Sequence, residues 1–271
     1  MKRLLTPKSL VGLSVILGAA AVAVLAPLLI PASFATRMQM ALRLQPPSAA
    51  HWLGTDQLGR DLFYRVLLGA RTSLAIAGAA VTISVAIGLP LGIVSGYFRG
   101  WTDAVLMRLV DALLSFPALL LALTISAMLG PSVPNTIVAI GVAFTPFLAR
   151  IVRGEALRVA QMPYVEAARA AGTSDVWMII WHVLPNVVPL VIVQGTISLA
   201  FAILAEAGLS FLGLGTQPPQ SSWGLMIQTS RDYLDVAPWT ALVPGAAVAL
   251  TVLALNMFGD VLRDVLDPRA R

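Results

Sequence analysis

Residues 112–149 form 38 consecutive positions without a charged side chain. Four further uncharged runs, Ser9–Thr36, Thr72–Phe98, Val176–Ala205 and Val236–Gly259, lie before and after it. A bilayer core of about 30 Å is crossed by roughly 20 apolar residues in a helix, so each of these four reads as one span. The 38-residue run is too long for one. Its middle carries Gly130, Pro131 and Pro134, a combination that breaks a helix. That run therefore holds two helices joined by a tight turn over Leu129–Asn135. The expected fold is all-α, a polytopic membrane protein with six transmembrane helices. With 58% hydrophobic and 11% charged residues, against about 25% charged in soluble domains, the chain is not a soluble enzyme, a disordered tail or a small secreted module.

Cysteine is absent, which excludes disulfides, thiolate zinc sites and iron–sulfur clusters. Lysine occurs only at Lys2 and Lys8, and no GxxxxGK[ST] stretch exists, so the sequence holds no P-loop ATPase site. The net charge of +5 comes from basic residues scattered between apolar runs. That distribution points to membrane topology rather than to nucleic acid. With the N-terminus inside, twelve of the 18 basic residues fall in cytoplasmic segments, as the positive-inside rule requires. Both termini are then cytoplasmic. The first run begins after basic residues and ends near Ser33-Phe34-Ala35, in the manner of a signal peptide. Its length exceeds the usual 7–15-residue apolar core of such peptides, so a retained helix is expected.

The outer loop after span 1 carries five arginines, Arg37, Arg43, Arg60, Arg65 and Arg71. Either the outer leaflet anchors them, or they pair with Asp56, Asp61 and a partner protein. Asp56 or Thr55 can cap a helix whose apolar face is Leu58, Leu62, Phe63, Val66 and Leu67. This is either a short interfacial helix or an extension of span 2. His51 and His182 fall on opposite sides of the membrane, so no metal site arises from them. Small-residue stretches, Ala75–Ala80 in span 2 and Gly245–Ala247 in span 6, permit close helix packing. Glu206 is the one acid between Val176 and Thr229. An intramembrane carboxylate is costly and by default a functional candidate. Its possible roles are cargo contact, pairing with another subunit, gating, or solvation near the outer surface. Asn256 and Asp260 are placed to pair with Arg263.

The loop between spans 4 and 5 is the most informative segment. Span 4 is expected to end near Arg150. Pro163 suits the first turn of a helix and Gly172 its left-handed C-terminal cap, with Ser174 and Asp175 starting the next helix. An exposed helix of this length is marginal alone, and its alanines let a partner groove approach the backbone. Glu166 and Arg169 sit three apart, able to exchange charge-assisted bonds with that partner. The alternative is a solvated connector.

Glu166-Ala167-Ala168, then Gly172, then His182 and Leu184-Pro185 at their spacing, resemble the EAA loop of ABC importer permeases. The residue usually hydrophobic before Leu-Pro is His182 here, a departure that touches local packing. Leu53–Asp61, Leu209–Gly215 and Gly259–Pro268 narrow the resemblance to the C-type permease subunit of the dipeptide/oligopeptide/nickel importers, over nearly the whole chain. The resemblance implies a type I ABC importer transmembrane fold. It divides the chain into an N-terminal helix and outer loop (1–71), an ABC transmembrane type-1 domain (72–260, with the coupling loop at about 153–186) and a cytoplasmic tail (261–271).

The resemblance also implies a non-catalytic, cofactor-free subunit of a bacterial inner membrane. Its partners would be a second, B-type permease, two ATP-binding subunits and an extracytoplasmic substrate-binding protein. Glu166, Ala167, Ala168, Arg169, Gly172, Leu184 and Pro185 would couple to an ATPase subunit, and Glu206 is a candidate for the pathway or gate. Peptides are the expected cargo; nickel chelates, opines and glutathione-like compounds are the alternatives. An ion-coupled secondary transporter would need internal repeats and several buried carboxylates. An intramembrane hydrolase would need an HExxH, Ser-Lys or GxSG arrangement. Neither pattern is found in the sequence.

Overall fold

The computed structural model describes residues 36–266 and, ahead of them, Gly18, Ala21 and Leu25, which are helical. Most of the expected first span, Ser9–Thr36, lies outside the described residues. The helices are α1 (Leu62–Phe98), α2 (Gly100–Leu114), α3 (Ala118–Leu129), α4 (Val133–Val159) and α5 (Pro163–Ala170). They are followed by α6 (Asp175–Phe211), α7 (Trp223–Ser230) and α8 (Trp239–Leu266). Four of these (α1, α4, α6 and α8) are long and apolar enough to cross a membrane, and a fifth crossing arises if α2 and α3 count as one broken span.

Three elements sharpen the sequence reading. Of the two readings left open for the segment before span 2, the extension of that span is found rather than a separate interfacial helix: α1 runs unbroken for 37 residues, about 55 Å at helical rise. Its cap is Asp61 rather than Thr55 or Asp56, with Asp61 Oδ1 accepting from the Phe63 N–H at 2.9 Å. The third crossing is not one straight helix, because α2 and α3 meet at 85°. Pro117 lacks an N–H and drives Phe116 away from helical backbone, so α2 ends at Leu114 and a new helix starts at Ala118. Finally, α4 continues past Arg150 to Val159. The helix does not stop at its arginines, and acids receive them. Arg153 makes a two-pronged contact with Asp103 (2.5 and 2.5 Å), Arg150 pairs with Asp111 and Arg158 with Glu155. On the opposite face Val152, Ala156 and Val159 are fully buried. The expected turn at Leu129–Asn135 is present, with Ser132 capping α4 through the Asn135 N–H.

Glycines set the α1–α4 contact. A Cβ placed on Gly92 would lie 2.6 Å from the Ala149 carbonyl oxygen and from Val152 Cβ. One on Gly96 would lie 2.6 Å from the Arg153 carbonyl oxygen, and one on Gly88 3.0 Å from that of Thr145. Spaced four apart, these three line one face of α1 and let the two backbones touch. Of the small residues noted in the sequence, Ala77 and Ala80 are buried in the core, whereas Cβ atoms on Gly78 and Gly245 would meet open space. Gly92→Val is expected to destabilise the fold by about 3 kcal/mol, the upper end for overpacking, because the obstruction is backbone. Gly78→Ala should be neutral or slightly stabilising. Thermal unfolding of the two detergent-solubilised variants checks this.

Two apolar clusters result. One joins α1, α3, α4, α6, α7 and α8 around Ile76, Ala122, Ile140, Ile203, Leu209 and Trp223. The other lies at the end holding α5 and joins Tyr97, Val152, Val159, Val165, Met178, Val183 and Val187. At the far end, the loop preceding α1 folds around Asp56. This side chain receives the Leu58 and Arg60 N–H groups and the Arg60 guanidinium at 2.8, 2.9 and 2.7 Å. Arg65 Nε stands 3.3 Å away. Of the two readings offered for the outer arginines, Arg60 and Arg65 follow pairing, within this chain. His51 Nδ1 lies 2.8 Å from Asp61 Oδ2, and the Trp239 indole N–H donates to the Thr55 carbonyl at 3.4 Å, which ties the loop to α8.

Candidate functional site

α5 begins at Pro163, whose missing N–H costs nothing in a first turn. Its C-terminus closes as the sequence suggested. The Gly172 N–H donates to the Arg169 carbonyl at 3.0 Å and the Thr173 N–H to that of Ala168 at 3.2 Å. These two bonds are the Schellman pattern, which requires a left-handed residue, and Gly172 has φ +84°.

This short helix is clamped to the body at several points. Val165 is fully buried in the second cluster and Ala168 is half-buried against it. The Arg169 guanidinium lies over the Tyr97 ring, 5.4 Å from its centroid, and the Tyr97 hydroxyl donates to Asp175 Oδ1 at 2.6 Å. On the other flank Asn186 Nδ2 donates to the Tyr164 hydroxyl at 3.1 Å. The Tyr164 and His182 rings lie 6.0 Å apart, so the departure at His182 is filled by ring packing. Leu184 packs on the same cluster, while Pro185 is exposed at the start of the regular part of α6, just after a π-helical turn at Ile179–Val183.

The residues singled out from the sequence thus divide. Glu166 and Ala167 face solvent and, with Tyr164 and Ala170, form the protruding face. Ala168, Arg169, Gly172 and Leu184 hold the helix in place. Glu166 and Arg169 are both exposed, and Arg169 in addition rests on Tyr97. Tyr97 and Val165 are supports of this helix that the sequence reading missed. Val165 falls on the inner side of α5 at helical spacing, whereas Tyr97 lies in a span more than sixty positions earlier and gives no local signal.

Glu206 stands near the far end of α6 with no exposed surface. The Ser210 hydroxyl donates to its Oε1 at 2.7 Å and the Ser73 hydroxyl to its Oε2 at 3.1 Å. Asp260 and Arg263 form no ion pair with one another, against the expected local pairing. Among the described residues no group of three or more histidine and acidic side chains is placed to hold a metal.

Comparison with known proteins agrees with this architecture. Residues 88–271 match the family model described as binding-protein-dependent transport system inner membrane component. The chain is 43% identical to the dipeptide transport system permease protein DppC of Alkalihalophilus pseudofirmus, over 97% of this chain and 86% of that protein. It is 46% identical to the probable D,D-dipeptide transport system permease protein DdpC of Escherichia coli K12, over 86% of this chain and 78% of that protein. To the glutathione transport system permease protein GsiD of Pectobacterium atrosepticum it is 44% identical, over 83% of this chain and 75% of that protein. A chain from the inward-facing MetNI methionine ABC transporter superposes with a TM-score of 0.64 at 18% identity, covering 76% of this chain and 98% of that one. That match concerns the fold alone. Matched by that family model over most of its length and by these permeases at 43–46% identity, the chain belongs to the family of binding-protein-dependent transport system inner membrane components, the permeases of ABC importers with the type I fold.

Proposed function

We propose that this chain forms half of the translocation pathway of an ATP-driven peptide importer and that α5 is its coupling helix. ATP hydrolysis takes place in two separate ATP-binding subunits, one of which receives α5 in a groove. A second permease subunit completes the pathway, and an extracytoplasmic binding protein delivers cargo. The chain lies in a bacterial inner membrane with both termini and α5 on the cytoplasmic side. The observation that carries this reading is the state of α5: a helix of one protruding face, started at Pro163, capped at Gly172 and clamped to α1, α4 and α6. A loose connector would need none of those contacts, whereas a helix that transmits movement needs all of them. Peptide cargo is supported by the names of the similar permeases, and glutathione, the cargo named for one of them, is itself a peptide.

The direct test is reconstitution. The chain with its second permease and ATP-binding subunits should accumulate a labelled dipeptide in vesicles only when ATP and binding protein are supplied. Ion-driven uptake by this chain alone would overturn the reading. Gly172→Val tests the cap separately. No atom lies near the site of an added Cβ, so only the left-handed backbone resists the change, at about 1–2 kcal/mol. Uptake per ATP hydrolysed is expected to fall several-fold with the assembly intact. An unchanged ratio would remove α5 rigidity from the mechanism.

A further inference from the structure

At the end opposite α5, α1 and α4 part and leave a cavity of about 450 Å³, the size of a small-molecule site. The α1 wall is one face of that helix. Leu68, Thr72, Ala75 and Ile76 recur there at helical spacing, with Arg65 and Arg71 on its two flanks. Val133 and Ile137, one turn apart, form the α4 wall. Residues 219–221 complete the lining, with Pro219 and Gln220 as an exposed rim. This segment is fixed in place. The Ser221 hydroxyl donates to the Arg65 carbonyl at 3.5 Å. On either side of the rim, the Thr216 N–H donates to Ser210 Oγ and the Trp223 N–H to Ser73 Oγ, each at 3.2 Å. Both of those hydroxyls donate in turn to Glu206.

The charge of the cavity is one-sided. Among the described residues its lining holds two arginines and no acid. Arg65 is buried and shares Asp56 with Arg60, so two guanidinium groups there meet one carboxylate. Arg71 is exposed and forms no ion pair among the described residues. The start of α4 at Val133 adds the partial positive charge of a helix N-terminus. Such a lining calls for an anion, and the arginine fork matches phosphate oxygens. The Thr72 and Ser221 hydroxyls are further donors. Leu68, Ala75, Ile76, Val133 and Ile137 give the same hollow an apolar wall, which a free inorganic anion does not use and an acyl chain does. A peptide or a zwitterionic lipid would bring an ammonium group for which the lining offers no carboxylate.

We propose that this cavity binds an anionic phospholipid, its phosphate held between Arg65 and Arg71 and the upper part of a chain lying on the apolar wall.

The test uses the full assembly, purified in detergent and exposed to phosphatidylglycerol or to phosphatidylethanolamine of matched chains. Native mass spectrometry reads the lipid retained. Phosphatidylglycerol should bind about tenfold more tightly, because its head carries no ammonium group. Arg71→Ala should weaken it by about tenfold and erase the preference, whereas Arg71→Lys, which keeps the charge, should preserve most of it. Arg71 is exposed, so the fold should survive both changes. Ala75→Phe fills the apolar part and should weaken both lipids alike. An unchanged preference in Arg71→Ala, or unchanged lipid binding in Ala75→Phe, would overturn the site. Inorganic phosphate alone and a dipeptide alone should each raise the unfolding temperature less than phosphatidylglycerol does. Equal stabilisation by phosphate would overturn the lipid in favour of a free anion. Stabilisation by the dipeptide that Arg71→Ala abolishes would overturn it in favour of cargo. No phosphatidylglycerol retained by the unaltered assembly would mean that protein fills the cavity, and would also overturn the proposal.

Discussion

Replacing Glu166 with lysine should abolish uptake and strip the ATP-binding subunits from the purified assembly, while the chain still inserts and folds. The side chain stands on the protruding face of α5 and makes no contact within the chain that folding needs. Exposed substitutions of this kind cost within about 0.5 kcal/mol. An acid in the first turn favours the helix dipole, a small term lost with the change. In a partner groove the effect is far larger. A hydrogen bond to a charged group is worth about 1.5–3 kcal/mol, and placing a like charge against the partner's donors adds several more. Together these amount to a hundredfold or greater loss of affinity, by the rule of about 1.4 kcal/mol per factor of ten. Co-purification of tagged ATP-binding subunits from membranes with wild-type permease levels measures it. Wild-type uptake by this variant would remove Glu166 from the coupling surface.

The second large effect lies at the opposite end and concerns stability alone. Asp56 is buried and anchors two arginines, with side-chain exposures of 10% for Arg60 and 3% for Arg65. Asp56→Asn keeps an oxygen for the Leu58 and Arg60 N–H groups but turns an amide toward both guanidinium groups. Removing one member of a buried ion pair costs about 3–5 kcal/mol, because the remaining charge is left without its counterpart. Asp56→Asn should therefore lower the thermal unfolding temperature sharply, with Asp56→Ala lower still. Asp232→Asn, which changes an exposed position in the far-end segment after α7, should leave it unchanged. Equal stability of all three would mean that solvent or lipid, rather than Asp56, compensates Arg60 and Arg65.

What the sequence made legible follows from how local each signal is. The long uncharged runs mark α1, α4, α6 and α8, because lipid solvation depends on composition. The two ends of α5 could be placed to the residue, because Pro163 and Gly172 act through their own backbone. The bend between α2 and α3 was hidden because a proline inside an apolar run reads as tolerated when neighbours satisfy the freed carbonyl. At Pro117 the helix breaks instead. That α4 runs on as helix beyond its apolar run to Val159 has no local signal, because Asp111 and Asp103 meet Arg150 and Arg153 only after folding. The glycines at 88, 92 and 96 carry a visible spacing, yet nothing local distinguishes them from Gly78 or Gly245, which meet no neighbour. Glu206 stood out as an isolated acid. Its partners could not be foreseen, since Ser73 reaches it only through folding and the amides of Thr216 and Trp223 have no signature.

The central claim is that α5 is the part of this chain seated in an ATP-hydrolysing subunit. The chain contains no cysteine, so Ala167→Cys places a single thiol on the protruding face and Gln220→Cys a single thiol on the far rim. In membranes carrying the whole assembly, a short thiol crosslinker should join position 167 to an ATP-binding subunit. Position 220 should give no such product and should react instead with a membrane-impermeant reagent added from outside. Labelling of position 167 from outside, with no crosslink to any ATP-binding subunit, would contradict the account.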